Sequence, residues 1–406
     1  MKTYSDILSW MYKQLPVFQK TGSSAYKPGL DRIKTLLISL KNPEKKFKSI
    51  HLAGTNGKGS TAHLISSILQ ESGYNVGLFT SPHLIDFRER IKINGKFISK
   101  KEVKEFITKN MNFLIENDIS FFEMTAAMAF NYFSKKKVDI ALIEVGLGGR
   151  LDATNVIIPN LSIITNISLE HTEFLGETLE EIATEKGGII KKKVPVVIGE
   201  RNDATERIFK EIALKMKAKI IFASDYNYGF GHLMDVIYQK KNLKTVLASL
   251  QFLSFFKINK KHIESGLKNF ENKTFFKGRW QVLSDSPKVV LDVCHNLAGF
   301  KNLIKQIKIE NFKKLIFVMG FVKGKDIEQI FPILPLDAFY FISQPNIERA
   351  YPIEKIRLKL ESFNNKINYS NSLKEAYYKA LETSSKEDLI ILTGSNFIAQ
   401  ELMDLN

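Results

Sequence analysis

The strongest single constraint on the fold is a glycine-rich segment, Gly54–Thr61, with the sequence GTNGKGST. It follows the strand-like run Phe47–Ala53 and opens the helix-like run Ser60–Ser72. A glycine loop between a strand and a helix points its backbone N–H groups at a bound anion, and the helix N-terminus adds partial positive charge. We therefore predict a polyphosphate site in which Lys58 reaches the terminal phosphates.

The spacing of this loop departs from the usual G-x-x-x-x-G-K-[ST] pattern. Leu52 stands where the first glycine is expected, and Gly59 separates Lys58 from Ser60. A glycine-rich turn without a ligand is the alternative interpretation, but the strand before the loop and the helix after it favour nucleotide binding. We expect the hydroxyl of Ser60 or Thr61 to face a magnesium ion.

Strand-like and helix-like segments alternate along the chain. The apolar, β-branched runs that we predict as strands are Val76–Thr80, Asp139–Val145, Leu161–Ile167, Val194–Ile198, Lys288–Asp292, Lys314–Met319, Ala338–Ile342 and Asp388–Leu392. Capping boxes predict helix starts at Ser99 and Thr178, each with a glutamate three residues later. This alternation predicts an α/β fold of parallel sheets with helices on both faces, in which ligands gather at the carboxyl ends of the strands.

At 406 residues the chain is long enough for two domains. The candidate boundary lies near Asn269–Lys277. An amphipathic stretch, Leu243–Phe256, and a capped helix from Asn259 precede it, and a fresh βαβα series follows. We therefore predict one domain over residues 1–272 and a second over residues 273–406.

The net charge of +16 has two interpretations. It indicates either an anionic partner, such as nucleic acid, a membrane or anionic metabolites, or a general bias toward lysine. The lysines are scattered and form no long basic tail, which favours the second interpretation. We predict no nucleic-acid and no membrane partner, since no run approaches the ~20 apolar residues of a membrane span. The single cysteine, Cys294, and an N-terminus without an apolar signal region predict a cytoplasmic protein.

Polar clusters follow the predicted strands of the first domain. Ser81 offers a hydroxyl to a hard cation, although a plain Ser-Pro turn is the simpler interpretation. Glu144 ends a buried strand and suits a magnesium-binding carboxylate that faces the glycine loop. The glycines after it, Gly146, Gly148 and Gly149, indicate either a second dinucleotide loop or a place where a ligand approaches the backbone. No helix follows them directly, which favours the second interpretation.

Two further candidates follow in the same domain. His171 suits a metal, a phosphate contact or a purely structural role. Lys186 ends the predicted helix Thr178–Lys186, where an ordinary lysine also suits the helix dipole.

The second domain has a cluster of its own at the end of the strand Lys288–Asp292. Asp292 can accept hydrogen bonds from a ribose or an amine, and His295 can contact a phosphate. Cys294 lies between them and is better interpreted as a small apolar filler than as a nucleophile. Arg279 places a guanidinium at the domain junction, where it can clamp a γ-phosphate.

Taken together, these segments resemble the folylpolyglutamate synthase/dihydrofolate synthase family of the Mur-ligase superfamily, and the resemblance covers nearly the whole chain. The matching segments are Lys27–Arg32, Ala53–Thr61, Ser81–Leu84, Phe87–Ile91, Phe121–Glu123, Glu144–Asn155, Ile164–Gly176, Glu185–Lys191, Gly278–Arg279, Asp292–Asn296 and Thr393–Ser395. The fold implied is a P-loop NTPase-like central domain with a mostly parallel sheet, plus a smaller Rossmann-like C-terminal α/β domain. The function implied is an ATP-dependent ligase that joins L-glutamate to dihydropteroate, to reduced folates or to both, and we predict both.

The resemblance also implies roles for individual residues. ATP would be held by Asn56, Gly57, Lys58, Gly59, Ser60, Asn242, Arg279 and Asp292. One Mg²⁺ would be held by Ser81 and Glu144, and a second by His171. Lys186 would be carbamylated by carbon dioxide, and the catalytic set would be Lys58, Lys186, His171, Asp292 and His295. The pterin substrate would contact Gly29, Leu30, Asp31, Arg32, Ser120, Glu123, Leu151, Asp152 and Ala153.

Two other functions stay open at the level of sequence. A ligase that adds an amino acid to a peptidoglycan precursor shares the glycine loop, but the Lys27–Arg32 and Phe121–Glu123 segments argue against it. A basic, nucleotide-switched RNA-binding protein would need a basic helix or an aromatic platform, and the sequence shows neither. We predict a monomer with small-molecule partners. Gly187 replaces the alanine usual in the family, and we expect it to loosen the helix that carries Lys186.

Overall fold

The computed structural model describes residues 3–15, 27–226, 229–325, 327–361 and 366–405. These residues divide into two compact units, the first ending at Phe276 and the second beginning at Lys277. The predicted boundary between residues 272 and 273 falls four residues before this division. Met1 and Lys2, at the start of the N-terminus predicted to lack a signal region, lie outside the described residues.

Helices and strands alternate through the first unit. Its helices are α1 (Tyr4–Gln14), α2 (Asp31–Ser39), α3 (Lys58–Glu71), α4 (Lys100–Glu116), α5 (Phe121–Lys135), α6 (Thr172–Leu175), α7 (Leu179–Gly187), α8 (Asp203–Met216), α9 (Ile237–Leu250) and α10 (Lys260–Thr274). Its strands are β1 (Lys48–Ala53), β2 (Val76–Phe79), β3 (Ile91–Ile93), β4 (Lys96–Phe97), β5 (Ile140–Glu144), β6 (Leu161–Ile164), β7 (Val196–Ile198) and β8 (Ile220–Phe222).

The strands of the first unit form one sheet with the order β4-β3-β2-β5-β1-β6-β7-β8. Each neighbouring pair in the series β2-β5-β1-β6-β7-β8 is parallel. At one edge, β3 is antiparallel to both of its neighbours, β2 and β4. In the register of β1 and β5, Leu52 lies opposite Glu144. The carboxyl end of β5 therefore lies beside the strand that leads into the glycine loop.

Helices cover both faces of this sheet, as the alternation along β5 shows. Ala141 and Ile143 pack with α1, α2, α4 and α5, whereas Ile140 and Leu142 pack with α3, α9 and α10. Burial on both faces explains why the strand is apolar throughout, because each fully buried side chain of this kind stabilises the fold by ~1.5–3 kcal/mol.

The second unit is a smaller α/β layer structure. Its helices are α11 (Leu297–Ile307), α12 (Ile327–Ile330), α13 (Ile353–Lys359), α14 (Leu373–Thr383) and α15 (Phe397–Leu402). Its strands are β9 (Gln281–Asp285), β10 (Lys288–Leu291), β11 (Leu315–Gly320), β12 (Phe339–Ser343), β13 (Lys366–Tyr369) and β14 (Leu389–Thr393). They form a sheet with the order β13-β12-β11-β14-β10-β9, in which β9 is antiparallel to β10 and the other pairs are parallel.

The structure corrects some boundaries and one cap. The helix after the glycine loop begins at Lys58, two residues before the predicted start. The capping box at Thr178 is present, but at Ser99 only the hydroxyl half forms, because the Glu102 carboxylate pairs with Lys135 and Lys136 instead. Within the described ranges, no helix is both long and apolar enough to span a membrane.

Candidate active site

The glycine loop connects β1 to α3 and packs closely against neighbouring segments. Gly54 has φ +140°, and a Cβ there would lie 1.9 Å from Thr165 Oγ1. Gly57 has φ +83°, and a Cβ there would lie 2.3 Å from Asn242 Oδ1. Both positions require glycine for two reasons. A side chain would clash with the neighbouring residue, and the positive φ strains any residue that has a Cβ. Asn242, on α9, thus lies against the loop inside the first unit.

The segment after β6 holds the loop from the other side. The backbone N–H of Thr55 donates to the Asn166 carbonyl (2.9 Å), and that of Asn56 donates to Asn166 Oδ1 (3.0 Å). Thr165 Oγ1 donates to the Asn56 carbonyl (2.6 Å), and the Ser168 N–H donates to Thr55 Oγ1 (3.0 Å). Sequence reasoning noted this segment for His171 and missed that Asn166 fixes the loop.

Lys58 and Lys186 meet at one carbonyl oxygen of the loop. Lys58 Nζ donates to the carbonyls of Gly54 (2.9 Å) and Thr55 (3.0 Å), and Lys186 Nζ donates to the same Gly54 oxygen (2.9 Å). Lys186 is only 5% exposed. Burial and the positive charge of Lys58 together lower the pKa of its amine to about 7, although the carboxylates of Glu170 and Asp152 oppose the decrease. Lys186 is therefore a buried amine that is substantially neutral near pH 7.

The helix that carries Lys186 is packed tightly around its two glycines. A Cβ at Gly187 would lie 2.6 Å from Ile212 Cδ1, and one at Gly188 would lie 2.5 Å from Arg150 Cα. Glycine at position 187 thus leaves room for the Ile212 side chain, which is a packing reason for the departure from the family pattern, and the expected loosening of the helix stays a prediction.

Glu144 and Ser81 lie together beside the first turn of α3. The Ser81 N–H donates to Glu144 Oε2 (3.0 Å), and a Cβ at Gly59 would lie 3.6 Å from the same oxygen. Glu144 is buried. A buried carboxylate and a serine hydroxyl beside a phosphate-type loop are the hard oxygen ligands that Mg²⁺ prefers, with its other positions left to water and phosphate.

His171 and Ser60 are also predicted to bind a metal or ATP, and their contacts point to these roles less directly. His171 precedes α6 with φ +53°, and its Nε2 lies 3.9 Å from Glu170 Oε1. Among the described residues, no group of three or more His, Cys, Asp or Glu side chains is arranged to hold a metal ion. Ser60 Oγ is buried in the first turn of α3, where Gln239 Nε2 donates to it (3.4 Å).

Two of the three segments predicted for the pterin lie at helix starts. Leu30 precedes α2, which begins at Asp31, and Ser120 caps α5 in a capping box with Glu123. Arg32 links the two segments, because its Nε lies 3.2 Å from Glu123 Oε1 and its Nη2 donates to the Lys27 carbonyl (2.6 Å). Gly29, before Leu30, has φ +117° and open space around a built Cβ.

Asp152 lies in the loop after β5, between Leu151 and the buried Ala153. Its carboxylate accepts the N–H groups of Gly146 (3.0 Å), Leu147 (3.0 Å) and Thr154 (2.9 Å). Burial raises the pKa of this carboxyl, and those hydrogen bonds oppose the rise. The carboxylate therefore shapes the glycine-containing loop after Glu144.

The loop after β2 contains a buried basic cluster that sequence reasoning passed over. Arg90 Nε donates to His83 Nδ1 (2.7 Å), and His83 Nε2 lies 3.3 Å from the Tyr12 hydroxyl. Burial lowers the pKa of Arg90 to about 10 and holds that of His83 well below its ordinary value. The motif SPHL and the run FRERI appear in the sequence, but only the fold shows that they contact each other.

In the second unit, Asp292 organises the turn that carries Arg279. Its Oδ2 accepts the N–H of Trp280 (3.1 Å) and its Oδ1 that of Cys294 (3.1 Å). Arg279 Nη1 donates to the Gly278 carbonyl (2.9 Å). His295 Nδ1 lies 3.1 Å from the Val293 carbonyl, just before α11.

Two family models match the chain. The model of the Mur ligase middle domain matches residues 52–272, and that of the Mur ligase, glutamate ligase domain matches residues 278–396. A dihydrofolate synthase/folylpolyglutamate synthase of Buchnera aphidicola (subspecies Schizaphis graminum) is 33% identical over 398 residues, covering 91% of this chain and 92% of that protein. The chain belongs to this family of Mur ligases.

Solved structures of the family agree in fold. The folylpolyglutamate synthase of Thermotoga maritima is 30% identical, with a TM-score of 0.81 over 99% of this chain and 96% of that one. A bifunctional folylpolyglutamate synthase/dihydrofolate synthase of Yersinia pestis, complexed with AMPPNP and a Mn ion, is 26% identical, with a TM-score of 0.86 over 100% and 98%. The predicted family and the predicted α/β fold class are confirmed.

Proposed function

We propose that this family member joins L-glutamate to dihydropteroate and also to reduced folates, at the expense of ATP and through an acyl phosphate. Its place in the dihydrofolate synthase/folylpolyglutamate synthase family supports this substrate class. The observation that carries the mechanism is the meeting of Lys58, Lys186 and the glycine loop at the Gly54 carbonyl, with Glu144 buried beside the loop.

The reaction needs activation of a carboxylate, because an amine cannot displace oxide from it. Transfer of the γ-phosphoryl group of ATP to the carboxylate gives an acyl phosphate. The amine of glutamate then displaces phosphate through a tetrahedral intermediate. Anionic groups crowd together in both steps, so the site must offset negative charge and position the reactants. This chemistry needs no protein nucleophile.

In our proposal the first unit holds the phosphates. The loop amides and the N-terminus of α3 bind them, and Lys58 leaves the Gly54 and Thr55 carbonyls to reach them. Glu144 and Ser81 would hold a divalent ion, which supplies charge neutralisation at the phosphates when bound. Lys186, as a neutral amine, would add to carbon dioxide and lose one proton, which gives it a carboxylate head. His171 would serve a second ion.

The other predicted residues would bind substrates. The pterin would lie against Gly29–Arg32 and residues 151–153. The side chains of Ser120, Glu123 and Asp152 are engaged in hydrogen bonds with the backbone, so they would shape that surface. Asn242 would contact ATP from α9 beside Gly57. Arg279, Asp292 and His295 would contact ATP and the incoming amine from the second unit. We further propose a cytoplasmic monomer without nucleic-acid or membrane partners.

The test is phosphate release with purified protein, ATP, Mg²⁺ and glutamate, with dihydropteroate and tetrahydrofolate as separate acceptors. We expect glutamate-dependent release with both acceptors and a mass increase of the acceptor that corresponds to one glutamate. Release with one acceptor alone would reduce the proposal to a single activity. Release with neither would refute it. Light scattering of the same sample tests the monomer, and RNA binding across a salt series tests the absent nucleic-acid partner.

A further inference from the structure

Residues Thr80–Arg90, here called the β2–β3 loop, are fixed by one carboxylate at their tip. Glu89 accepts the N–H groups of Leu84 (2.7 Å), Ile85 (3.0 Å) and Asp86 (2.8 Å). Arg88 pairs with Asp86 at 2.7 Å on the same turn. These contacts hold the tip of the loop without any contribution from the Arg90 side chain.

Arg90 acts at the base of the loop instead. It is 4% exposed, and its Nε donates to His83 Nδ1 at 2.7 Å. Because a guanidinium only donates, His83 Nδ1 must accept, so the ring proton lies on Nε2, 3.3 Å from the Tyr12 hydroxyl. The guanidinium also lies 5.5 Å from the Phe121 ring centre, and that ring stacks on Tyr12. The side chains of His83 and Phe121, both held by Tyr12, thus fix one orientation of the guanidinium.

The base of the loop includes the Ser81–Glu144 contact. The Thr80 N–H donates to the Arg90 carbonyl (3.1 Å), and the next N–H, that of Ser81, donates to Glu144 Oε2 (3.0 Å). Ser81 therefore lies between a residue bonded to the Arg90 backbone and His83, which is bonded to the Arg90 side chain. Both ends of this segment are therefore bonded to Arg90, and Ser81 between them donates its N–H to Glu144.

We propose that Arg90 is a positioning residue that, through His83 and the Thr80 backbone, orients Ser81 and Glu144 for a divalent metal ion. The inference rests on the proposed function, since it concerns the metal that Ser81 and Glu144 would hold there. A buried cation is costly for stability alone, and an apolar side chain of similar size would fill this space at lower cost. A role in setting the geometry of the metal ligands would give this cost a reason.

The first experiment measures Mn²⁺ binding directly, by loss of the free-ion EPR signal in the presence of AMPPNP. Arg90→Met removes the donor, and Arg90→Lys keeps the charge but not the fork geometry. We expect both to weaken Mn²⁺ binding by about 10- to 100-fold, the usual effect of losing a residue that orients metal ligands. Arg88→Lys is the matched control, because Arg88 lies two residues away and pairs with Asp86, and it is expected to bind Mn²⁺ as the parent does.

A second pair of variants keeps the test decisive if the Arg90 variants fail to fold. His83→Asn retains an acceptor for Arg90 near the position of Nδ1, whereas His83→Ala removes it. We expect Mn²⁺ binding to be largely preserved in the Asn variant and weakened in the Ala variant, with similar melting temperatures for the two. Equal Mn²⁺ affinities across the set, with only melting temperatures changed, would overturn the inference. Absence of Mn²⁺ binding in the parent protein would instead refute the metal part of the proposed function.

Discussion

The carboxyl ends of the two sheets use their charged side chains in opposite ways. Beside β1 and β5 of the first unit, two lysines share one carbonyl and a carboxylate lies buried beside a glycine loop. At the end of β10 in the second unit, both carboxylate oxygens of Asp292 accept backbone N–H groups. Burial raises the pKa of the neighbouring Cys294 thiol well above the ordinary value, so we expect this thiol to react slowly.

This difference indicates a division of labour. Burial of an ionisable amine, as at Lys186, is costly for stability and lowers its pKa to about 7, a shift that is typical of groups that take part in chemistry. Charges that are satisfied by backbone groups, as at Asp292, mainly fix the shape of a turn. We infer that the first unit carries the reactive groups and the second unit presents a shaped binding surface.

The largest expected effect follows from removing the Lys186 amine. Lys186→Ala should reduce turnover by a factor on the order of 10³, because it removes the amine that is proposed to carry the carbamate beside the phosphate site. Steady-state kinetics measure the loss, and ¹³C NMR under ¹³C-labelled carbon dioxide should show a carbamate signal in the parent protein alone. Lys192→Ala, an exposed lysine on the following turn, is the matched control. Parent-like turnover in Lys186→Ala would remove the amine from the mechanism.

A paired substitution compares the two strand ends directly. Glu144→Gln keeps the shape of the side chain and removes its charge, so turnover should fall about 100-fold with a higher Mg²⁺ requirement and little change in melting temperature. Asp292→Asn should instead destabilise its unit by about 1–3 kcal/mol, because one backbone N–H loses its acceptor. Mg²⁺ titrations and thermal melts give the Mg²⁺ requirement and the melting temperature of each variant. The same pattern in both variants would contradict the division of labour.

Much of the fold could be predicted because buried parallel strands are apolar throughout. The strands that sequence reasoning missed are short or half exposed, such as β3, β8, β9 and β13. In these segments, edge position and tertiary packing determine the strand, and neither is visible in the local sequence.

The parts of the site that lie at the carboxyl ends of strands could be predicted from the sequence. Glu144 and Lys58 could be placed near each other because adjacent parallel strands end at the same edge of a sheet. The role of Asp152 could not, since the loop amides that bind its carboxylate come together only in the folded chain. Ser120 and Glu123 have the same spacing as the capping boxes predicted at Ser99 and Thr178, but the resemblance to the family assigns them to substrate contacts. Arg90 was missed for a similar reason, because the Phe121 ring beside it and the Tyr12 hydroxyl that contacts His83 lie far away in sequence.

A smaller effect tests whether every buried lysine of the first unit behaves like Lys186. Lys92 Nζ donates to the carbonyls of Thr274 (3.0 Å) and Phe275 (3.3 Å) at the end of α10, and burial lowers its pKa to about 8. The carboxylates of Glu89 and Glu144 oppose this decrease. Lys92 therefore fixes the end of a helix, and its titration should affect stability more than turnover.

The sign of the pH effect follows from the lowered pKa. Between about pH 8 and the ordinary lysine value of 10.5 the unfolded chain binds more protons than the folded one, so stability rises with pH and the burial cost is largest below pH 8. The stability of the parent relative to Lys92→Met should increase by about 2–3 kcal/mol between pH 7 and pH 10. Urea unfolding at both pH values measures it. Lys96→Met, an exposed lysine on β4, should show no such difference.

The smallest expected effect concerns the only cysteine of the sequence. Cys294 Sγ lies 3.2 Å from Thr393 Oγ1, so Cys294→Ser retains a polar contact of similar size. Because the raised pKa keeps the thiol protonated, its alkylation by iodoacetamide should be slow in the folded protein and fast in urea. Turnover of Cys294→Ser should match that of the parent. A large loss of turnover together with rapid alkylation would place a reactive group at the end of β10, and the contrast between the two strand ends would no longer hold.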